Sequence, residues 1–167
     1  MAEKVASELD PATFEVIDNR LLNIAEEIGI QYMRCSGSNV LITGNDAATA
    51  IMTAEGSLVA VGPYIVTQGN VLPRIVDSTV RSIGENEGID DGDVFICNVP
   101  YLGAIHQPDM ATVMPIFVNG EIFSWIGASG HQLDTGGTDP GGFSIKAVNV
   151  HQEGLRMPPV KLVEKAV

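Results

Sequence analysis

The sequence predicts a mixed α+β fold, one domain over residues 1–167, with two main helices, about five strands and a Gly/Pro-rich C-terminal third. Three observations carry this expectation. One long stretch repeats apolar residues at helical spacing, two stretches read as apolar hairpins around Gly-containing turns, and the chain after Gly130 loses periodicity. A chain of this length can bury roughly 70% of its unfolded surface on folding. No linker divides it, and its 18 glycines and 9 prolines follow no period.

The elements follow in order. Residues 1–9 read as a leader. Asp10-Pro11 marks a helix start, with Asp as the cap and Pro at the first helical position. Phe14, Ile17, Leu21, Ile24 and Ile28 then line one face of the longest helix, which Gly29 weakens late. "CSGSN" is loop. "AATAIMTAEGSLVAVG" reads as a hairpin turning at Glu55-Gly56. A second helix is expected over 71–83, with Pro73 in its first turn. "NEGIDDGD" is a polar turn and "VFICNV" a short buried strand. "PYLGAIHQP" is irregular. "MATVMPIFV" and "EIFSWIGA", joined by Asn-Gly, form the clearest hairpin.

Composition narrows the function. Net charge is −12 and no Lys/Arg cluster exists, which argues against nucleic acid and against an anionic membrane surface. No 18-residue uncharged apolar run and no basic, apolar leader occur, so a cytoplasmic protein is expected. Cys35 and Cys97 form no CxxC pattern and read as two buried reduced thiols. There is no G-x-x-x-x-G-K-[ST], no G-x-G-x-x-G opening a helix and no G-x-S-x-G elbow. Any nucleotide chemistry then belongs to another chain.

Two of the three histidines open His-x-x-Asp pairs at the two ends of the clear hairpin: His106 with Asp109, and His131 with Asp134. A three-residue loop Val118-Asn119-Gly120 would pair Phe117 with Glu121 and set His131 diagonally from Asp109 on one face. A two-residue Asn119-Gly120 turn would put them on opposite faces unless a bulge, for instance at Gly130, restores them. Pro108 keeps His106 in a loop. Two imidazoles and a carboxylate suit Mn, Fe or Zn with open positions for substrate. On spacing alone, histidine pairs in loops are more often hydrogen-bonded structural groups than metal ligands. His151 has no acidic neighbour at a metal spacing. Asp134 is a candidate catalytic group, Asp139 a weaker one, in a stretch where Asp also serves turns.

"DPATFEVIDNRLLNIAEEIG", "GDVFICNVPYLGAIHQPDMATVMPIFVNGEIFSW", "GHQLDTGG" and "QEGLRMPPVKL" together resemble the hydantoinase B / oxoprolinase / acetone carboxylase family, in order, from about Asp10 to Leu162. The resemblance is to the N-terminal part of subunits several hundred residues long. It implies that His106, Asp109 and His131 hold a divalent metal, Mn or Zn. It further implies a small subunit of an ATP-dependent ketone carboxylase of the acetophenone carboxylase type. Bicarbonate would be co-substrate, a small-molecule ketone the acceptor, and ATP with Mg would sit in a hydantoinase A-like large subunit. The remainder of a split hydantoinase B-like subunit would be a further partner. Two other readings stand beside it: a subunit of a hydantoinase or 5-oxoprolinase cleaving a cyclic amide, and a metal-free structural subunit. The chain departs from the family at Val99, where an Asp is usual, and at Gln132, where many members have His.

Overall fold

The Asp10 cap forms as the sequence predicts. Its carboxylate accepts the N–H groups of Ala12 and Thr13 at 3.1 and 3.0 Å. In this computed structural model, which describes residues 9–84 and 88–165, the helix it opens, α1 (Pro11–Cys35), runs 25 residues. The leader, apart from Leu9, and the first part of the "NEGIDDGD" turn lie outside the described residues. Gly29 does not interrupt α1. It is a notch for the Tyr64 ring, whose carbons a Cβ at Gly29 would overlap. The Tyr64 hydroxyl donates to the Glu26 carbonyl across the same contact, at 3.1 Å.

Only the second half of α1 is packed. Leu21 and Ile24 join Ala25, Ile51 and Ala60 in a small apolar cluster. Phe14 and Ile17, expected on the buried face, are 61% and 45% exposed, because the sheet does not reach under the first turns. Cys35 ends α1 and is exposed, which corrects the expectation of two buried thiols; Cys97 is buried, and both are free.

A short helix that periodicity does not reveal, α2 (Asn39–Gly44), follows; it buries Leu41 and closes on Asn45 in the left-handed region at φ 52°. The expected hairpin is β1 (Ala47–Thr53) and β2 (Leu58–Val61). β1 is buried on both faces. Thr49 donates to the Ala25 carbonyl of α1 at 2.6 Å, while Ala50 and Met52 join the main core. The period-two alternation therefore places α1 on one face and the next helix on the other.

That helix, α3 (Val66–Thr79, continued by a π turn Val80–Gly84), begins five residues earlier than expected. Pro73 lies inside it rather than in its first turn and forgoes the hydrogen bond its missing N–H would have made. Leu72, Ile75, Val76 and Thr79 are buried, and this packing outweighs the loss. β3 (Val94–Cys97), β4 (Asp109–Val118) and β5 (Glu121–His131) form as expected. A sixth strand, β6 (Val160–Val163), follows the Pro158-Pro159 pair, so the sheet exceeds the expected five strands by one. All neighbours are antiparallel, in the order β2-β1-β5-β4-β3-β6. No helix among the described residues is long and apolar enough to cross a membrane.

The β4–β5 register differs from both simple expectations. Asn119 and Gly120 have φ of 54° and 84°, a two-residue turn that pairs Val118 with Glu121. The three-residue loop is not formed. A bulge then sets in between Ile116 and Phe117: Phe117 pairs with Ile122, Ile116 with Ser124, and Phe123 is left over. From there the numbering offset holds to the strand ends, where Asp109 stands directly opposite His131. The restoring bulge is at Phe123, not Gly130.

Candidate metal centre

The bulge brings one carboxylate and one imidazole face to face at the end of the two central strands. Just before β4, a turn supplies the second imidazole; the Asp109 N–H donates to the His106 carbonyl at 3.0 Å. Asn98, fully buried, pins that turn from behind. Its amide donates to the Gln107 and Leu155 carbonyls at 2.8 and 2.7 Å, and its oxygen accepts the Met157 N–H at 2.6 Å. Every polar group of the side chain is thus engaged, which fixes the turn against the C-terminal segment.

The three groups converge. His106, Asp109 and His131 each offer a ligand atom, all within 4.8 Å of one another. His106 Nδ1 and His131 Nδ1 lie 3.5 and 3.7 Å from Asp109 Oδ1, too long for hydrogen bonds. The imidazole rings meet edge to face, with centroids 5.0 Å apart. His131 and Asp109 are buried, whereas the His106 side chain is 37% exposed and forms the open side.

Two residues missing from the sequence reading complete the centre. Asp46, immediately before β1, places Oδ2 3.9 Å from His131 Nδ1. Buried Gln68, in the first turn of α3, donates its amide to Asp46 Oδ1 at 2.7 Å and to Asp109 Oδ1 at 3.3 Å. One carboxamide thereby ties two carboxylates together.

The donor set fits a divalent cation. His106 Nδ1, both nitrogens of His131, Asp109 Oδ2 and Gln68 Oε1 are buried without a hydrogen-bond partner. Leaving such groups unpaired costs about 1–3 kcal/mol each; one cation would engage several of them. Protonation states agree with that use. Burial, with the Asp46 charge second, pushes the Asp109 carboxyl up to about 7. Burial also lowers both histidines, against the pull of Asp46, so the imidazoles are neutral and available as ligands near pH 7.

The other sequence candidates lie apart. Asp134 is exposed, and its two oxygens accept the N–H groups of Gly136 and Gly141 at 2.7 and 3.0 Å. Those bonds hold its pKa below the usual carboxylate value. Asp139 accepts the Lys146 N–H at 3.4 Å. His151 sits exposed in a 3-10 turn, Val150–Gln152, its N–H donated to Asn149.

The hydantoinase B/oxoprolinase family matches residues 10–167. The acetophenone carboxylase delta subunit of Aromatoleum aromaticum is 30% identical over 165 residues, covering 96% of this chain and 23% of that protein. The 5-oxoprolinase of Dictyostelium discoideum is 30% identical over 163 residues, covering 98% of this chain and 13% of that protein. Among solved structures, nucleotide-free acetone carboxylase superposes with a TM-score of 0.85 at 22% identity, over 93% of this chain and 21% of its own. The chain thus spans under a quarter of the length of each of these proteins. Its fold is that of acetone carboxylase in that part, and by the family match over nearly its whole length the chain belongs to the hydantoinase B/oxoprolinase family.

Proposed function

We propose that this chain carries the divalent-metal centre of a multi-subunit, ATP-dependent ketone carboxylase. The observation that carries the reading is the convergence of His106, Asp109 and His131 with their ligand atoms buried and unpaired. The likeness to the acetophenone carboxylase delta subunit supports the choice of reaction. ATP with Mg is assigned to a hydantoinase A-like partner and bicarbonate to the co-substrate role. The remainder of a hydantoinase B-like subunit would dock on this chain.

His106, Asp109 and His131 would hold the metal, Mn or Zn, which when bound supplies Lewis-acid polarisation of a substrate oxygen. The chain's own residues do the rest. Gln68 donates to Asp109 Oδ1, the carboxylate oxygen nearest both imidazoles, and leaves Oδ2 without a partner. His106, on the open side, marks where substrate enters. We assign Asp134 to closing the 134–141 loop rather than to proton transfer, since both its oxygens are engaged by backbone N–H groups.

A second reading, cleavage of a cyclic amide, is favoured by the equal identity to 5-oxoprolinase. Bicarbonate separates the two. ATP turnover by the full complex that requires both ketone and bicarbonate supports carboxylation; turnover on a cyclic amide, indifferent to bicarbonate, supports hydrolysis. Elemental analysis of the purified complex tests the metal in either case.

A further inference from the structure

The Gly/Pro-rich loop after β5 returns to the metal centre. Gly141 and Gly142 have φ of 95° and 81°, and a Cβ at Gly142 would lie 3.3 Å from His131 Nε2. Backbone therefore passes directly over the imidazole. The next residue, Phe143, stacks on the His131 ring with centroids 5.1 Å apart and planes 25° from parallel. It meets the His106 ring edge-on at 5.9 Å. The Asp134 carboxylate, bridging Gly136 and Gly141, holds the neck of the loop that delivers it. Yet Phe143 is 64% exposed. One part of the phenyl ring is spent on the imidazoles, and the rest is exposed beside His106, the open side of the centre.

From this we infer that Phe143 is a specificity-determining residue: it is the wall on which a flat apolar substituent rests when a neighbouring carbonyl or carboxylate oxygen reaches the ligand side of His106 and His131. Aromatic rings prefer offset-stacked or edge-to-face contact with such a surface, and a ring already stacked on His131 has less to lose in ordering when it offers one. The favoured ligands are thus oxygen compounds bearing a planar apolar group next to the carbonyl, over those bearing a methyl. This inference rests on the metal reading above.

The test uses Co²⁺ as the probe metal, and benzoate and acetate as probe ligands, read by the visible absorption of Co²⁺ in the full chain. The ratio of benzoate to acetate affinity should fall about 3- to 10-fold from wild type to Phe143→Ala. Phe143→Leu keeps apolar bulk without a flat ring and should behave like the alanine variant. In Phe143→Trp, Co²⁺ should quench indole fluorescence beyond any change seen in wild type, whose single tryptophan, Trp125, is in the core. An unchanged ratio in both the Ala and Leu variants, with Co²⁺ bound, overturns the inference and leaves the metal reading intact. Fluorescence of the Phe143→Trp variant that responds to bound Co²⁺ no more than wild type does the same. Failure of wild type to bind Co²⁺ at all sinks the metal reading, and the inference with it.

Discussion

His106→Ala and His131→Ala should each remove most of the bound metal, since three protein ligands leave no redundancy. Asp109→Asn keeps the side chain's size and loses its charge, so it should weaken metal binding more than folding. His151→Ala, at an exposed turn away from the centre, should retain metal near the wild-type level. Elemental analysis of the four proteins checks all of this, and full occupancy in His131→Ala is the damaging result. The pH dependence has a definite sign. A carboxyl pushed up to about 7 must lose its proton before it can coordinate. In the metal-free chain the two imidazoles, both lowered, are already neutral there. Metal affinity should therefore rise with pH up to about 7 and level off above it, falling about tenfold per pH unit below it from this one group. Calorimetry in buffers of different ionisation enthalpy should find more protons released per metal at pH 6 than at pH 8. The three converging side chains were legible because His-x-x-Asp and His sit at the two ends of a recognisable hairpin. Asp46 and Gln68 were not. Asp46 reaches the centre only because β1 pairs with β5, where the His131 N–H donates to the Asp46 carbonyl at 3.1 Å. That pairing joins residues far apart in sequence, and no local spacing announces it.

At the scale of elements, the hairpin was readable and its offset was not. Asn119-Gly120 signals the turn, because both positions need positive φ. The bulge carries no such mark; its extra residue is an exposed phenylalanine. The deletion of Phe123 makes a sharp test. Phe123 pairs with neither β4 nor β1. Without it, Ile122 and Ser124 become regular neighbours opposite Phe117 and Ile116, and Asp109 still faces His131. A single-residue deletion inside a central strand should therefore leave metal content close to wild type. Loss of metal from that variant would contradict the register described above. The start of α3 was missed for a physical reason too: Ile65 stands at its cap and offers no side-chain bond, while Pro73 mimics a start signal from inside. Asn98→Ala tests a support that sequence does not flag. It strands the Gln107 and Leu155 carbonyls and the Met157 N–H, at about 1–3 kcal/mol for each one left unpaired. The expected result is a lower denaturant midpoint together with weaker metal binding, because the turn bearing His106 loses its anchor.

For the whole molecule, the α+β class and the acidic, motif-poor surface were legible, and the uneven packing of α1 was not. Helical periodicity reports which residues share a face and says nothing of whether another element lies under that face. Phe14, Val16 and Ile17 on α1, and Phe143, Ile145 and Val148 on the late loop, are all exposed. Purified alone, the chain should show no ketone-dependent ATP hydrolysis, and co-expression with hydantoinase A-like and remaining hydantoinase B-like partners should raise its soluble yield. Ketone-dependent turnover by the isolated chain would overturn the subunit reading.

The two outermost strands, β2 and β6, are each four residues long. Strands that short offer a neighbour only a few backbone hydrogen bonds, too few to template another sheet. The chain can thus display much oily side-chain surface without inviting open-ended, fibre-like growth. A partner that used the exposed side chains of α1 and of the late loop would be chosen by their shapes, in a way that bare backbone does not allow.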